Sequence, residues 1–280
     1  MDHSFTYQSV NCYYRTEGEG IAVVLVHGFA EDHTVWNRQV EFLKAHCRVI
    51  TPDLPGSGNS EVIHYLLSAV SIDDFADYIY AVLQHAGIDT CIMLGHSMGG
   101  YVMLSFAEKH PECLLGFGFV HSTAFRDSDE KKAVRQRAIG TMQEYGSAAF
   151  VRSTTPNTFG VTYKKDHPEE VEALIENGKN FTVEALQQYY TVMMNRPDRT
   201  RILANSKVPV LFIIGLEDVA APASDVLKQV PLPDIAHVHL LPGVGHMGMW
   251  EAADEVNDYL LKFIQYIEQM NGSMLQQMRD

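Results

Sequence analysis

Gly95-His96-Ser97-Met98-Gly99 constrains the fold of this chain more than any other stretch, and it reads G-x-S-x-G. The apolar run Cys91-Ile92-Met93-Leu94 before it has the character of a buried strand. Tyr101 to His110 after it reads as a helix, with Pro111 just past its end. A serine between a strand and a helix, flanked by glycines, sits on a turn too sharp for bulky neighbours. Such a turn lifts the hydroxyl clear of the sheet and aims the helix N-terminus at a reacting carbonyl. Five residues alone would equally describe a glycine-rich turn with a solvated serine. The flanking strand and helix favour a nucleophile.

The rest of the chain repeats the strand–helix alternation. Phe5 to Glu17 alternates loosely and predicts a pair of antiparallel strands turning at Gly18-Glu19-Gly20. Ile21 to Val26 is a continuous apolar run, as expected for a strand buried on both faces of a parallel sheet. Helical character follows from Val35 to Lys44, then a strand at Cys47 to Ile50, and helical spacing from Ile72 to Ala86. A strand over Leu114 to Val120 follows the helix after Ser97. This order predicts an α/β fold with a mostly parallel sheet. After His121 the pattern changes. Ser122 to Ser206 contains no convincing strand but offers helices at Ala133 to Tyr145, Glu169 to Asn177 and Val183 to Met194. Strand signatures return at Val208 to Gly215 and Ile235 to Leu241, and Val256 to Met270 is an amphipathic closing helix. Residues 1–121 and 207–280 thus form the predicted core, and 122–206 a helical insert. Asn271-Gly272 is expected to stop the last helix and open a frayed tail.

Composition narrows the partners. Of 280 residues 46% are hydrophobic, enough for a large core, and the formal net charge is -14. Nucleic acid and anionic membranes need clustered Lys and Arg, so neither is expected. No secretory signal and no membrane-length apolar run is visible. Cys12, Cys47, Cys91 and Cys113 match neither a zinc pattern nor a redox pair, and a cytoplasmic protein with reduced thiols is the expectation.

A serine hydroxyl needs a base within hydrogen-bond reach, and that base needs an acid to fix its tautomer. On this kind of sheet they should follow the serine in the order acid, then histidine. Asp218 follows the strand Val210 to Ile214, and His246 follows Val238 to Leu241 within Gly243-Val244-Gly245-His246. Glu217 is a neighbouring competitor for the acid, and Asp127 a second. His27-Gly28-Phe29 ends the first buried strand, where a loop N–H is needed for the oxyanion. Phe29 and Met98 are the candidate donors. His27 is expected to hold the loop through backbone hydrogen bonds, and His96 to be structural. His33, Trp36 and His121 are candidates for the pocket wall, with packing an equal alternative. His237-x-His239 lacks further ligands at metal spacing, so zinc is not expected.

Taken together, His27-Gly28-Phe29, Asp53-Leu54-Pro55-Gly56-Ser57-Gly58-Asn59-Ser60, Gly95 to Gly100, Gly215 to Asp218 and Gly243 to His246 resemble the blocks of the α/β-hydrolase fold family, in family order. The chain is similar to its serine esterase and lipase-like group. The resemblance implies an eight-stranded core with a helical cap over the active site, a Ser97–His246–Asp218 triad and no cofactor. It leaves the substrate open, because the cap region matches no pattern. The leading expectation is hydrolysis of a small carboxylic ester by a monomer or homodimer. C–C bond hydrolysis, lactone opening or a lyase step would use the same triad. A slow-turnover small-molecule sensor is the reading from another class. Phe150, Phe159 and Met194 are apolar insert positions expected to influence acyl preference.

Overall fold

The computed structural model describes residues 1–65 and 69–277. Eight strands form one sheet in the order β1-β2-β4-β3-β5-β6-β7-β8. They are β1 Asp2–Tyr7, β2 Val10–Glu17, β3 Ala22–Val26, β4 Arg48–Pro52, β5 Cys91–His96, β6 Leu114–Val120, β7 Val210–Gly215 and β8 Ala236–Leu241. The pairs from β4 through β3 and on to β8 are parallel, whereas β1 and β2 join antiparallel. Strand β3 shows why its sequence is apolar throughout. Val24 and Val26 enter the core on one face of the sheet, and Val23 and Leu25 the core on the other. With side chains alternating at a period of two, a strand covered on both faces needs apolar residues at every position.

Helices cover both faces. Helix α1 (Asn37–Leu43) follows a single 3₁₀ turn at His33–Trp36. Helix α2 (Ile72–Ala86) opens on a reciprocal cap between Ser71 and Asp74 and closes at Gly87, in the left-handed conformation. Helix α3 (Met98–Lys109) begins immediately after Ser97. Helices α2 and α3 share the core of Val24 and Val26, while α1 packs with Val23 and Leu25.

Between β6 and β7 the chain forms six α-helices: α4 Asp129–Tyr145, α5 Ser147–Thr154, α6 Val161–Asp166, α7 Pro168–Gly178, α8 Val183–Asn195 and α9 Thr200–Ala204. Short helices α10 (Ala223–Val226) and α11 (Gly248–Glu251) follow β7 and β8, and α12 (Ala253–Gln277) closes the chain. His237 and His239 point from β8 onto α12, where His237 meets the rings of Phe263 and Tyr266, and His239 stacks on Tyr259. No helix among the described residues is long and apolar enough to cross a membrane. All four cysteines are buried and unpaired.

Two local expectations are corrected. The first hairpin turns at Gln8-Ser9, with φ of 50° and 66°, and not at Gly18-Glu19-Gly20. A two-residue turn with both φ positive matches the twist of the flanking strands, so pairing imposes it on residues that do not advertise it. Helix α12 continues through Asn271 and Gly272 to Gln277. One glycine costs a helix interior only about 1 kcal/mol relative to alanine, too little to end it. Residues 278–280 of the expected tail lie outside the described residues.

Candidate active site

Ser97 holds φ 50° and ψ -117°, a conformation that L-residues adopt at a cost. Three hydrogen bonds over-determine it. Its N–H donates to the Val120 carbonyl at 3.2 Å, and its own carbonyl accepts from Gly100 N–H at 3.0 Å and from the Ser122 hydroxyl at 2.6 Å. The flanking glycines are steric necessities. A Cβ on Gly95 would overlap the backbone of Gly99 and Gly100, and one on Gly99 would overlap the carbonyls of Val26 and His27. The strand–turn–helix expected around Ser97 is therefore present, with Met98 as the first residue of α3.

Asp218 and His246 come from the loops after β7 and β8 and meet: His246 Nδ1 donates to Asp218 Oδ2 at 2.8 Å. Asp218 Oδ1 accepts from the N–H groups of Ala220 and Ala221 at 2.8 and 2.9 Å. Burial works against the Asp218 charge, but His246 and His121 hold the carboxyl well below its usual range. Burial likewise opposes protonation of His246, and Asp218 outweighs it, leaving His246 above its ordinary value. With Nδ1 committed to Asp218, Nε2 of neutral His246 is left to accept a proton. Ser97 and His246 line one cavity of about 150 Å³. No hydrogen bond joins the Ser97 hydroxyl to His246 in this structure; contacts of this kind often tighten only when substrate binds.

The competing acids are occupied elsewhere. Glu217 accepts the N–H of Val161 at 2.8 Å. Asp127 is buried between two guanidiniums, 2.7 Å from Arg135 Nε and 2.9 Å from Arg196 Nη1. Burial opposes its charge, and the two arginines keep it ionised.

Phe29 lines the same cavity, and its N–H has no protein acceptor among the described residues. The N–H of Met98 opens α3 and so lacks a partner one turn earlier. The Phe29 loop is held from two sides. His27 Nδ1–H donates to the Gly28 carbonyl at 2.8 Å, and its Nε2 accepts the Leu54 N–H at 3.0 Å, the backbone task expected of it. Glu31 Oε2 accepts from Gly28 N–H at 2.7 Å and from His96 Nδ1 at 2.9 Å. His96 Nε2 donates to the His246 carbonyl at 2.9 Å. His96 is thus structural in a specific sense. Both its ring nitrogens face acceptors, and with Glu31 it ties the Gly28-Phe29 loop to the loop that carries His246. Burial would raise the Glu31 carboxyl, but His96 draws it below its usual range.

The pocket-wall candidates are not in this cavity. Trp36 is fully buried, edge-on to the His96 ring. His121 is buried behind Asp218, 3.5 Å from Oδ2, and burial pushes it down to about 4. His33 donates to Asp53 and borders a separate depression of about 630 Å³ with Gly58 and Asn180. Asp32, His33 and Asp53 approach one another there, but the Asp53 oxygens already accept from the N–H groups of His33 and Asn59. Phe150, Phe159 and Met194 also miss the wall. Phe150 packs behind Phe29 and Tyr190, Phe159 against Tyr163 and Trp250, and the neighbouring Met193 faces the cavity in place of Met194. Helical phase decides between adjacent residues, and only the packed helix sets that phase.

Sequence reasoning missed Glu31, Glu251 and Arg135. Glu251 is an acceptor for three N–H groups, those of Gly245 at 3.0 Å, Met247 at 3.1 Å and Gly160 at 2.8 Å, and so binds the His246 loop to the insert. Glu31 lies three residues from Gly28, and Glu251 six and four residues from Gly245 and Met247, and that spacing was the available signal, whereas the Gly160 contact had none. Arg135 had none.

The α/β hydrolase fold family model matches residues 21–156. A thermophilic esterase from Thermogutta terrifontis superimposes with a TM-score of 0.87 at 27% identity, covering 92% of this chain and 94% of that one. A 2-hydroxy-6-oxononadienedioate/2-hydroxy-6-oxononatrienedioate hydrolase from Burkholderia vietnamiensis is 28% identical over 90% of each chain. A dihydrolipoyllysine-residue acetyltransferase component of an acetoin cleaving system from Pseudomonas putida is 29% identical over 90% of this chain, which spans 66% of that protein's length. The chain thus has the α/β hydrolase fold, and relatives that include an esterase and a hydrolase support a hydrolase.

Proposed function

We propose that the protein hydrolyses a small carboxylic ester through an acyl-serine intermediate. The observation that carries this reading is the convergence of three chain segments. Ser97 on its strained turn and the Asp218-bound His246 share one cavity, at the carboxyl ends of β5, β7 and β8. His246 Nε2 takes the Ser97 proton as the oxygen attacks the ester carbonyl. The N–H groups of Phe29 and Met98 receive the negative oxygen. The intermediate collapses, the C–O bond to the alcohol breaks, and His246 returns the proton to the leaving oxygen. Water then attacks the acyl-serine by the same route and releases the acid. Helices α4 to α8 act as a cap, since Arg135, Thr154, Leu174 and Tyr190 from them close the cavity. Its volume suits a short acyl chain. The esterase relative supports the reading, and the hydrolase from Burkholderia vietnamiensis supports a second one. In that reading the same residues cleave a C–C or lactone bond.

The test is multiple-turnover release of p-nitrophenol from short-chain p-nitrophenyl esters, with fluorophosphonate labelling of Ser97. Ser97→Ala is expected to remove labelling and lower turnover on the order of 10⁴-fold or more, with the fold intact. Unchanged turnover in a folded Ser97→Ala protein overturns the proposal.

A further inference from the structure

Arg135 lines the cavity that holds Ser97 and His246. It projects from α4, a helix that otherwise buries only Met142. Its Nε is committed to Asp127 at 2.7 Å, and its guanidinium stands 4.9 Å from the centre of the Tyr190 ring, with the Tyr190 hydroxyl close by. No second carboxylate pairs with it among the described residues. Its terminal amino groups thus face the Tyr190 hydroxyl and the cavity, with no carboxylate on either.

Arg135 has no carboxylate to itself. Asp127 answers Arg135 and Arg196 together. Arg196 directs Nη1 and Nη2 to the carbonyls of Met193 and Phe125, leaves its buried Nε without a partner among the described residues, and lies over the Tyr101 ring at 3.7 Å. Lys131 adds another positive charge, with Nζ on the carbonyl of Ala220, itself a cavity residue. The other acids near the cavity are committed, Glu31 to Gly28 and His96, Asp218 to His246. A guanidinium that shares its carboxylate with a second arginine, beside an apolar, partly enclosed space, lacks a full counter-group of its own. A guanidinium whose terminal amino groups hold no carboxylate presents the planar fork that a carboxylate fits with two parallel hydrogen bonds. The chain as a whole carries a formal -14, so this selection for an anion is local.

We infer that Arg135 binds a carboxylate carried by the substrate, which is thus a short acid with a second, scissile carbonyl. A cavity of about 150 Å³ leaves room for a few carbons between the two groups. Monoesters and lactones of short dicarboxylic or keto acids meet that description. The inference rests on reading this cavity as the acyl-transfer site.

The test uses binding, so that it does not depend on turnover. Monomethyl glutarate (one carboxylate) and dimethyl glutarate (none) are titrated calorimetrically into the Ser97→Ala protein. The monoester is expected to bind at least about tenfold tighter, the scale of one charge-assisted hydrogen-bond pair. Adding Arg135→Gln should reduce that preference to about twofold or less, and Arg135→Lys should leave an intermediate value, because it keeps the charge but not the fork. A ratio measured within one protein cancels any loss of folded material. No preference in Ser97→Ala, including no detectable monoester binding at millimolar concentration, overturns the inference. So does a preference that survives Arg135→Gln. Should the wild-type protein hydrolyse no ester while the preference holds, the ester reading falls and the carboxylate site stands.

Discussion

Strand β5 buries every residue from Cys91 to His96, whereas helix α4, nearly three times as long, buries Met142 alone. The two regions meet in one cavity but are held by different means. In the sheet, Ser97 is fixed by backbone hydrogen bonds and by glycines that no other residue could replace without collision. The stretch from Thr158 to Val161 reaches the Asp218 and His246 loops through single polar contacts, while the insert helices share the apolar cores on both faces of the sheet. Thr158 offers its carbonyl to His246 N–H at 2.6 Å, Gly160 N–H donates to Glu251, and Val161 N–H to Glu217. Rigid backbone supports the proposed chemistry, and adaptable side chains shape what enters. An insert held this way can change its wall without disturbing the reacting groups.

The largest effect that would sharpen this contrast lies at the sheet ends. Asp218→Asn is expected to lower kcat on the order of 10⁴-fold, because the amide can reverse the His246 tautomer. The pH profile gives an independent sign. His246 is raised above its ordinary 6.5 by Asp218 against the pull of burial, so activity should rise with pH through a midpoint above 6.5, where the imidazole becomes neutral. The stability from the His246–Asp218 pair runs the other way. It is fully present below the unfolded value and is lost as pH rises through the folded one. In Asp218→Asn burial and Lys131 oppose protonation against the weaker pull of Glu31, and the midpoint of residual activity should move below that of the wild type. An unmoved midpoint would show that Asp218 does not set the His246 proton.

Glu251→Gln tests the joint between the two regions. One carboxylate oxygen becomes an NH₂ facing N–H groups, at an expected cost of about 1–3 kcal/mol. Tm should fall by about 2–12 °C, and kcat more than KM, because the His246 loop is loosened. Equal Tm values would show that the strap carries no strain-bearing role. Glu217→Gln retains an acceptor at an exposed helix start and should stay within a few-fold in kcat/KM, roughly 1 kcal/mol in barrier.

The smallest effect belongs to the insert. Met193→Ala should shift preference toward longer acyl chains by several-fold, while Met194→Ala leaves the chain-length profile unchanged. Fluorophosphonate labelling rates of Ser97 should agree within a few-fold in both. A scan of p-nitrophenyl esters from two to eight carbons decides it. Identical profiles for the two variants would remove the division of labour between sheet and insert.

Most of the core was legible because its signals are local or strictly periodic. Buried parallel strands must be apolar at consecutive positions, and a strained turn at Ser97 demands glycine at Gly95 and Gly99. His121 and Trp36 misled for a corresponding reason. A histidine at a strand end or a tryptophan at a helix start reads the same whether it faces a cavity or packs behind one, and here both pack behind. Glu31 and Glu251 were overlooked because an acid becomes a strap only when the chain bends its neighbours' N–H groups toward it.

The sequence by itself determined the α/β-hydrolase fold, the strained setting of Ser97 and the order in which an acid and a histidine follow it. These depend on periodicity, on glycine's freedom from a Cβ, and on spacing along one chain. Only the tertiary structure decided that Asp218, and not Glu217 or Asp127, meets His246, and that Met193 and Arg135 form the cavity wall. Those outcomes depend on which side chains face each other across segments far apart in the chain, 28 residues for Asp218 and His246 alone. The angle at which each helix settles on the sheet fixes that pairing, and no local pattern encodes the angle.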